Sequence, residues 1–265
     1  MVRNAKKVRD VPKVTYDVAS IELETNQLFH RFTKSNNDRW KESYNRAFPN
    51  LSSQIVATAK SEKEVLDLCR ECVRERHTLH KIKIEDSKTE LQLAWDKIGP
   101  EYLRALADHF ETDWPAEPHA IVGHVWVQPI FPRWINKFEF CVPYGNRSRA
   151  IETSAHEILH FLWFKKWSEV FPEMKRDTYE MPHLVWRLSE IIDPIILQCH
   201  QRIWELIRPQ GWGYDSFKTI TIGDVGLTDY FKNIYEDAVK SEKSFDNVMR
   251  TLWEEIKLYD EIIKF

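Results

Sequence analysis

The sequence predicts an α+β fold that is predominantly helical, with a small mixed sheet followed by a C-terminal helical lobe. Three observations predict it. Only 7 of 265 residues are Gly, set against many Leu, Glu and Lys, a balance that favours helix. Runs with a strand period are confined to the part of the chain before residue 145. Beyond Pro182 the apolar residues recur only at helical spacing.

Taken in order, residues 1 to 15 carry Arg3, Lys6, Lys7, Arg9 and Lys13 and read as a flexible, solvated terminus. Residues 54 to 58 form a short β-like run. Ser61 and Glu64 have the spacing of a capping box and open a helix over 61 to 76. Ile82 and Ile84 alternate within 79 to 84, which predicts a strand and, with the preceding pieces, a βαβ-like unit. A helix over 101 to 110 ends before Trp114-Pro115 and Pro118. Two strands follow, over 120 to 127 and 137 to 142, the second closed by Pro143-Tyr144-Gly145 and expected at a sheet edge. After Pro182, helices are expected over 183 to 193, with a kink or break at Pro194, then over 195 to 207, 227 to 240 and 245 to 263. There is no internal repeat and no clean linker. The expectation is therefore a single domain spanning 1 to 265, with an upper α/β lobe at about 50 to 170 and a helical lower lobe at about 180 to 265.

Eleven Trp and 14 Phe supply ample core. The net charge of −3, with both signs mixed, gives no field directed at nucleic acid or an anionic membrane. No signal-peptide core and no membrane-length apolar run is seen, so a soluble, cytoplasmic protein is expected. Cys69-Arg70-Glu71-Cys72 with His77 and His80 invites a structural zinc site. The stronger reading places both Cys in the apolar stripe of a helix with Val65, Leu68 and Val73.

His156-Glu157-Ile158-Leu159-His160 carries the functional information. On a helix, residues four apart share a face, so both imidazoles can converge on one Zn²⁺ while Glu157 addresses a water beside it. From Ser148 to Trp167 there is no Gly or Pro, and Ile151, Ala155, Ile158, Leu159, Leu162 and Trp163 recur at helical spacing. The competing reading is a core helix whose two His are merely hydrogen-bonded.

With this motif on a helix after a strand, the chain resembles the zincin metallopeptidases. The resemblance is specific at the motif and topological elsewhere, over about 50 to 205. The metzincin branch fits poorly, because Trp163 and Lys166 stand where its Gly and third His would be. The gluzincin branch fits better. It takes a Glu from a following helix as third ligand, and Trp186-Arg187-Leu188-Ser189-Glu190-Ile191-Ile192-Asp193 is similar to that segment. The resemblance thus implies His156, His160 and Glu190 as metal ligands, with Glu180 and His183 as competitors. Asp193, or failing it Glu152 one turn before His156, would accept the free N–H of a ligand imidazole.

The function this implies is zinc-dependent hydrolysis of a peptide or protein substrate, with Glu157 as general base and no nucleic-acid or membrane partner. Tyr179, His183 and Tyr230 are candidates for the oxyanion donor. A non-catalytic zincin-like binding or regulatory module is the alternative.

Overall fold

The computed structural model describes residues 10–34, 38–51, 56, 58–211, 213–214, 216–242 and 244–263. Helices dominate. The elements are β1 (Lys13–Val18), α1 (Ile21–Lys34), α2 (Asp38–Ala47), α3 (Glu62–His109), β2 (Ala120–Trp126), β3 (Arg133–Trp134), β4 (Glu139–Pro143) and α4 (Arg147–Val170). They continue with α5 (Leu184–Cys199), α6 (Gln201–Ile207), the short pair β5 (Thr221–Ile222) and β6 (Val225–Gly226), α7 (Leu227–Ser241) and α8 (Phe245–Lys257).

The chain divides into two compact units. One comprises residues 1–13, 98–119 and 155–265; the other comprises 14–97 and 120–154. This division does not follow the expected lobes. The HExxH residues fall with the C-terminal helices, because α4 and α5 bury their polar side chains against each other.

A mixed sheet has the order β1-β2-β4-β3. β4 is parallel to β2, with Val122 opposite Glu139 and Val125 opposite Val142, and antiparallel to β3, with Arg133 opposite Phe140. Lys13 donates to the His119 carbonyl and Ala19 to the Val125 carbonyl. The two bonds advance together along both strands, which is the parallel sense. In this sheet Gly123 has a packing reason to be glycine. A Cβ there would lie 2.6 Å from Tyr16 Cε1 and 2.9 Å from Phe140 Cζ, while those two rings meet edge to face at 6.2 Å.

Several expectations are corrected. Strand 120 to 127 is present as β2, but 79 to 84 belongs to α3, so there is no βαβ unit there. Leu79 and Ile82 are exposed, whereas Val73, Ile84, Leu91 and Trp95 are buried at helical spacing. Six residues were too short a window to separate the two periods. The expected strand at 54 to 58 lies largely outside the described residues. β4 is not an edge, since β3 and the Cys141 N–H to Pro132 carbonyl bond cover its second side. Strand β1 starts at Lys13, inside the segment expected to be flexible. Pro194 does not break the helix, which runs on to Cys199.

The capping box at the start of α3 is formed in part: Ser61 Oγ accepts from Glu64 N–H, while Glu64 Oε2 accepts from the N–H of Lys60, one residue before the cap. Cys69 and Cys72 are buried with Leu28, Val65 and Val73. Their thiols are pushed up to about 12 and about 11, in each case first by burial. Thiols so held are poor metal ligands. His77 instead meets Glu24, and His80 packs on Tyr144. Among the described residues no helix is long and apolar enough to cross a membrane.

Candidate metal centre

The site lies within the first unit and is built by α4 and α5. α4 is apolar nearly all round, with Ala155, Ile158, Leu159, Phe161, Leu162, Trp163, Phe164 and Trp167 all buried. A helix of that pattern is enclosed by its neighbours. Each such side chain contributes roughly 1.5 to 3 kcal/mol by leaving water. The imidazoles are therefore fixed by the packing of the residues between them. α5 is the more unusual helix, since every residue from Leu188 to Leu197 is buried, Glu190 and Asp193 among them. Two carboxylates at 1% and 0% exposure need cationic or hydrogen-bonding partners.

Those partners are the two imidazoles. His160 Nε2 lies 3.1 Å from His156 Nε2. His156 Nε2 lies 3.2 Å from Glu190 Oε2, and His160 Nε2 lies 3.3 Å from Glu190 Oε1. On its other edge, His160 Nδ1 lies 2.8 Å from Asp193 Oδ2. That contact is close but off-angle, so neither Asp193 oxygen has a well-formed hydrogen bond. Burial pushes the Asp193 carboxyl up from its ordinary value, against the opposing pull of His160.

These distances suit a small tetrahedral cation. Ligand atoms about 2.0 to 2.1 Å from a tetrahedral centre are roughly 3.3 to 3.4 Å from one another. The three observed separations are close to that. The chemistry agrees: with Asp193 at Nδ1, the His160 proton belongs on Nδ1, which leaves the Nε2 lone pair facing His156 and Glu190. Lone pairs and a carboxylate converging in a buried place repel unless a proton or metal ion joins them. His156, His160 and Asp193 also offer atoms within 4.8 Å of one another. Asp193 nevertheless faces the wrong edge of His160 to share an ion with both Nε2 atoms. Glu190 is the better third ligand, and Asp193 the group that orients His160.

The other sequence candidates lie as follows. Glu157 is buried on α4, about 60° around the helix from His160. Glu152 is half-buried one turn before His156 and belongs to the other compact unit. Glu180 and His183 are exposed on the segment leading into α5 and are not in the cluster. Tyr230 OH is engaged by Glu255 at 2.5 Å and Tyr259 at 2.9 Å. Only His156, of the three ligand candidates, reaches solvent, with 22% of its side chain exposed.

Two supporting residues, Phe164 and Gly213, were not among the sequence candidates, and Tyr179, a candidate oxyanion donor, is buried in a packing role. Phe164 stacks on His160 with 11° between ring planes, and Tyr179 stacks on Phe164 at 4.6 Å, so a column of rings holds the imidazole plane. Phe164 stands four residues after His160, a spacing that could have identified it. Gly213 lies beyond α6 in sequence and packs back on α5. Pro194 has no N–H to give the Glu190 carbonyl, and Gly213, at φ 81°, packs there; a Cβ would come to 3.0 Å from Pro194 Cγ. No protein-family model, curated protein or solved structure matches the chain.

Proposed function

We propose that this chain is a zinc-dependent metallopeptidase of the zincin type, gluzincin-like in taking a Glu from the helix after the HExxH helix. The convergence of His156 Nε2, His160 Nε2 and the Glu190 carboxylate at 3.1 to 3.3 Å carries this reading. Glu157, next to His156 on the same helix, supports a catalytic reading, because a purely structural metal site has no need of a carboxylate beside its ligands.

His156, His160 and Glu190 would hold the ion. Bound zinc supplies Lewis-acid polarisation of a carbonyl and lowers the pKa of a bound water towards ~7. Glu157 receives the proton of the attacking water and delivers it to the leaving amine, so the scissile C–N bond breaks without releasing an amide anion. Asp193 keeps the His160 proton on Nδ1, and the Phe164–Tyr179 column fixes the plane of that ring.

The test combines metal content with turnover. Purified protein is expected to contain about one zinc per chain and to cleave an unfolded-protein substrate or peptide library in a chelator-sensitive way. Glu157→Gln should retain zinc while losing ~10²-fold to 10⁴-fold in rate. Full zinc without cleavage of any substrate would favour a binding module. Undiminished cleavage by Glu157→Gln would reject the mechanism.

A further inference from the structure

The second unit contains a cavity of about 580 Å³ that the metal reading does not use. Its size is within the range of small-ligand sites. Arg76, Trp126, Gln128 and Tyr144 line it, with Lys83, Asp86, Glu90 and Arg147 at its more exposed positions.

Arg76 is held in place by neutral groups. Its guanidinium donates to the Ala47 carbonyl at 2.6 Å and to Tyr144 OH at 3.3 Å, and lies 5.1 Å from the centre of the Phe48 ring. Among the described residues no carboxylate pairs with it. A fixed, part-buried guanidinium is a ready acceptor site for a carboxylate. The start of α4 agrees with an anion here. Its first turn contains Arg147 and Arg149 and no acid, the reverse of what the helix dipole favours unless a negative group is supplied.

A second, independent observation comes from Gln128, which is 3% exposed. Its amide N–H₂ donates to the Glu24 carbonyl at 2.8 Å and to Glu24 Oε2 at 3.3 Å. Glu24 is fully buried and is itself fixed by His77 and the Val127 N–H. This network commits the donor end of Gln128 and leaves Oε1 buried without a partner. Trp126 Nε1, a donor, is likewise buried without a partner. Two lining side chains thus keep an unsatisfied acceptor and an unsatisfied donor, both closed to solvent, a state that costs stability. Asp86 and Glu90 on the same wall suit an ammonium group.

We infer that this cavity binds a small zwitterion, an amino acid or short peptide with free termini. Arg76 and Arg147 take the carboxylate, and Asp86 or Glu90 meets the ammonium. The inference does not depend on the metal reading.

Calorimetric titration of the full chain in its Glu157→Gln form, to prevent turnover, tests it with alanyl-alanine, alanyl-leucine, their C-terminal amides, their N-acetyl forms and inorganic phosphate. The free dipeptides should bind saturably, with the amides and acetyl forms at least ~10-fold weaker. Arg76→Lys should weaken binding ~10-fold or more, and the exposed Arg147→Gln should weaken it several-fold without changing the melting temperature. Absence of saturable dipeptide binding up to about 10 mM overturns the inference. Phosphate binding that competes equally overturns the zwitterion assignment. Binding lost in Glu190→Ala but unchanged in Arg147→Gln and Arg76→Lys would move the ligand to the metal centre and overturn it as well.

Discussion

His160 Nδ1 lies 2.8 Å from Asp193 Oδ2, and both side chains are fully buried. One turn of α5 therefore engages both edges of a single imidazole: Glu190 faces Nε2 and Asp193 faces Nδ1. Residues three apart share a helix face, so the two carboxylates cannot be positioned independently. Asp193→Asn retains size and removes the charge that keeps the proton on Nδ1. Zinc affinity, measured by competition with a chromophoric chelator, should fall ~10-fold to 100-fold while the far-UV spectrum is retained. Unchanged affinity would mean that Asp193 is a packing residue only.

Metal removal should lower stability. On the proposed reading the facing Nε2 atoms and the Glu190 carboxylate would lose the cation that joins them, and a ligand present at about 100 times its Kd stabilises the folded state by roughly 2.7 kcal/mol. A chelator should therefore lower the melting temperature, and zinc alone should restore it. Glu190→Ala should abolish the zinc-dependent increment. A melting temperature indifferent to both chelator and zinc would argue for a core helix with two hydrogen-bonded His.

Much of this site was legible because its residues are chemically specific at helical spacing. His156, Glu157 and His160 come from five consecutive positions, and Glu190 and Asp193 were the only acids in an otherwise apolar run. The sheet was less legible. Nothing in residues 137 to 142 reveals that Pro132 to Trp134 folds back over that strand, because an edge is a property of what packs later in space. Residues 79 to 84 differ from the expectation for another reason. Exposed Leu79 and Ile82 imitate a strand's apolar content on the outer face of a 48-residue helix. Proline usually ends a helix, whereas here α5 runs through Pro194 and Gly213 packs beside the Glu190 carbonyl, to which Pro194 has no N–H to give.

Gly123 offers a test of the sheet that is independent of the metal. Any Cβ there would press on Tyr16 and Phe140. Tyr16 cannot easily yield, because its hydroxyl lies 2.7 Å from buried Ser154 Oγ. Gly123→Ala is expected to cost about 1 to 3 kcal/mol through overpacking, read as a lower urea midpoint with an unchanged slope. A stabilised variant would mean that the Tyr16 ring has room to move.

His109 should make the first unit acid-sensitive. Its Nε2 shares a 2.6 Å hydrogen bond with Tyr235 OH, and its ring lies 4.7 Å from that of His200 and 5.0 Å from that of Phe245. Burial first, and the neighbouring His200 second, lower its pKa to about 3. In the unfolded chain the same imidazole takes up a proton near its ordinary value of about 6.5. The unfolded state therefore binds more protons between these two values, and stability falls as the pH drops through that window. Above about pH 6.5 the contribution is complete, and below about pH 3 the loss no longer grows. His109 as a residue is half-buried, and the loss is expected to be on the order of 2 to 4 kcal/mol. His109→Gln cannot titrate and leaves most other groups unchanged, so subtracting its denaturation curves from those of the parent isolates this imidazole. The parent's advantage should shrink steadily from pH 7 to pH 4. A constant difference across that range would show that His109 is protonated as readily in the folded protein as in the unfolded chain.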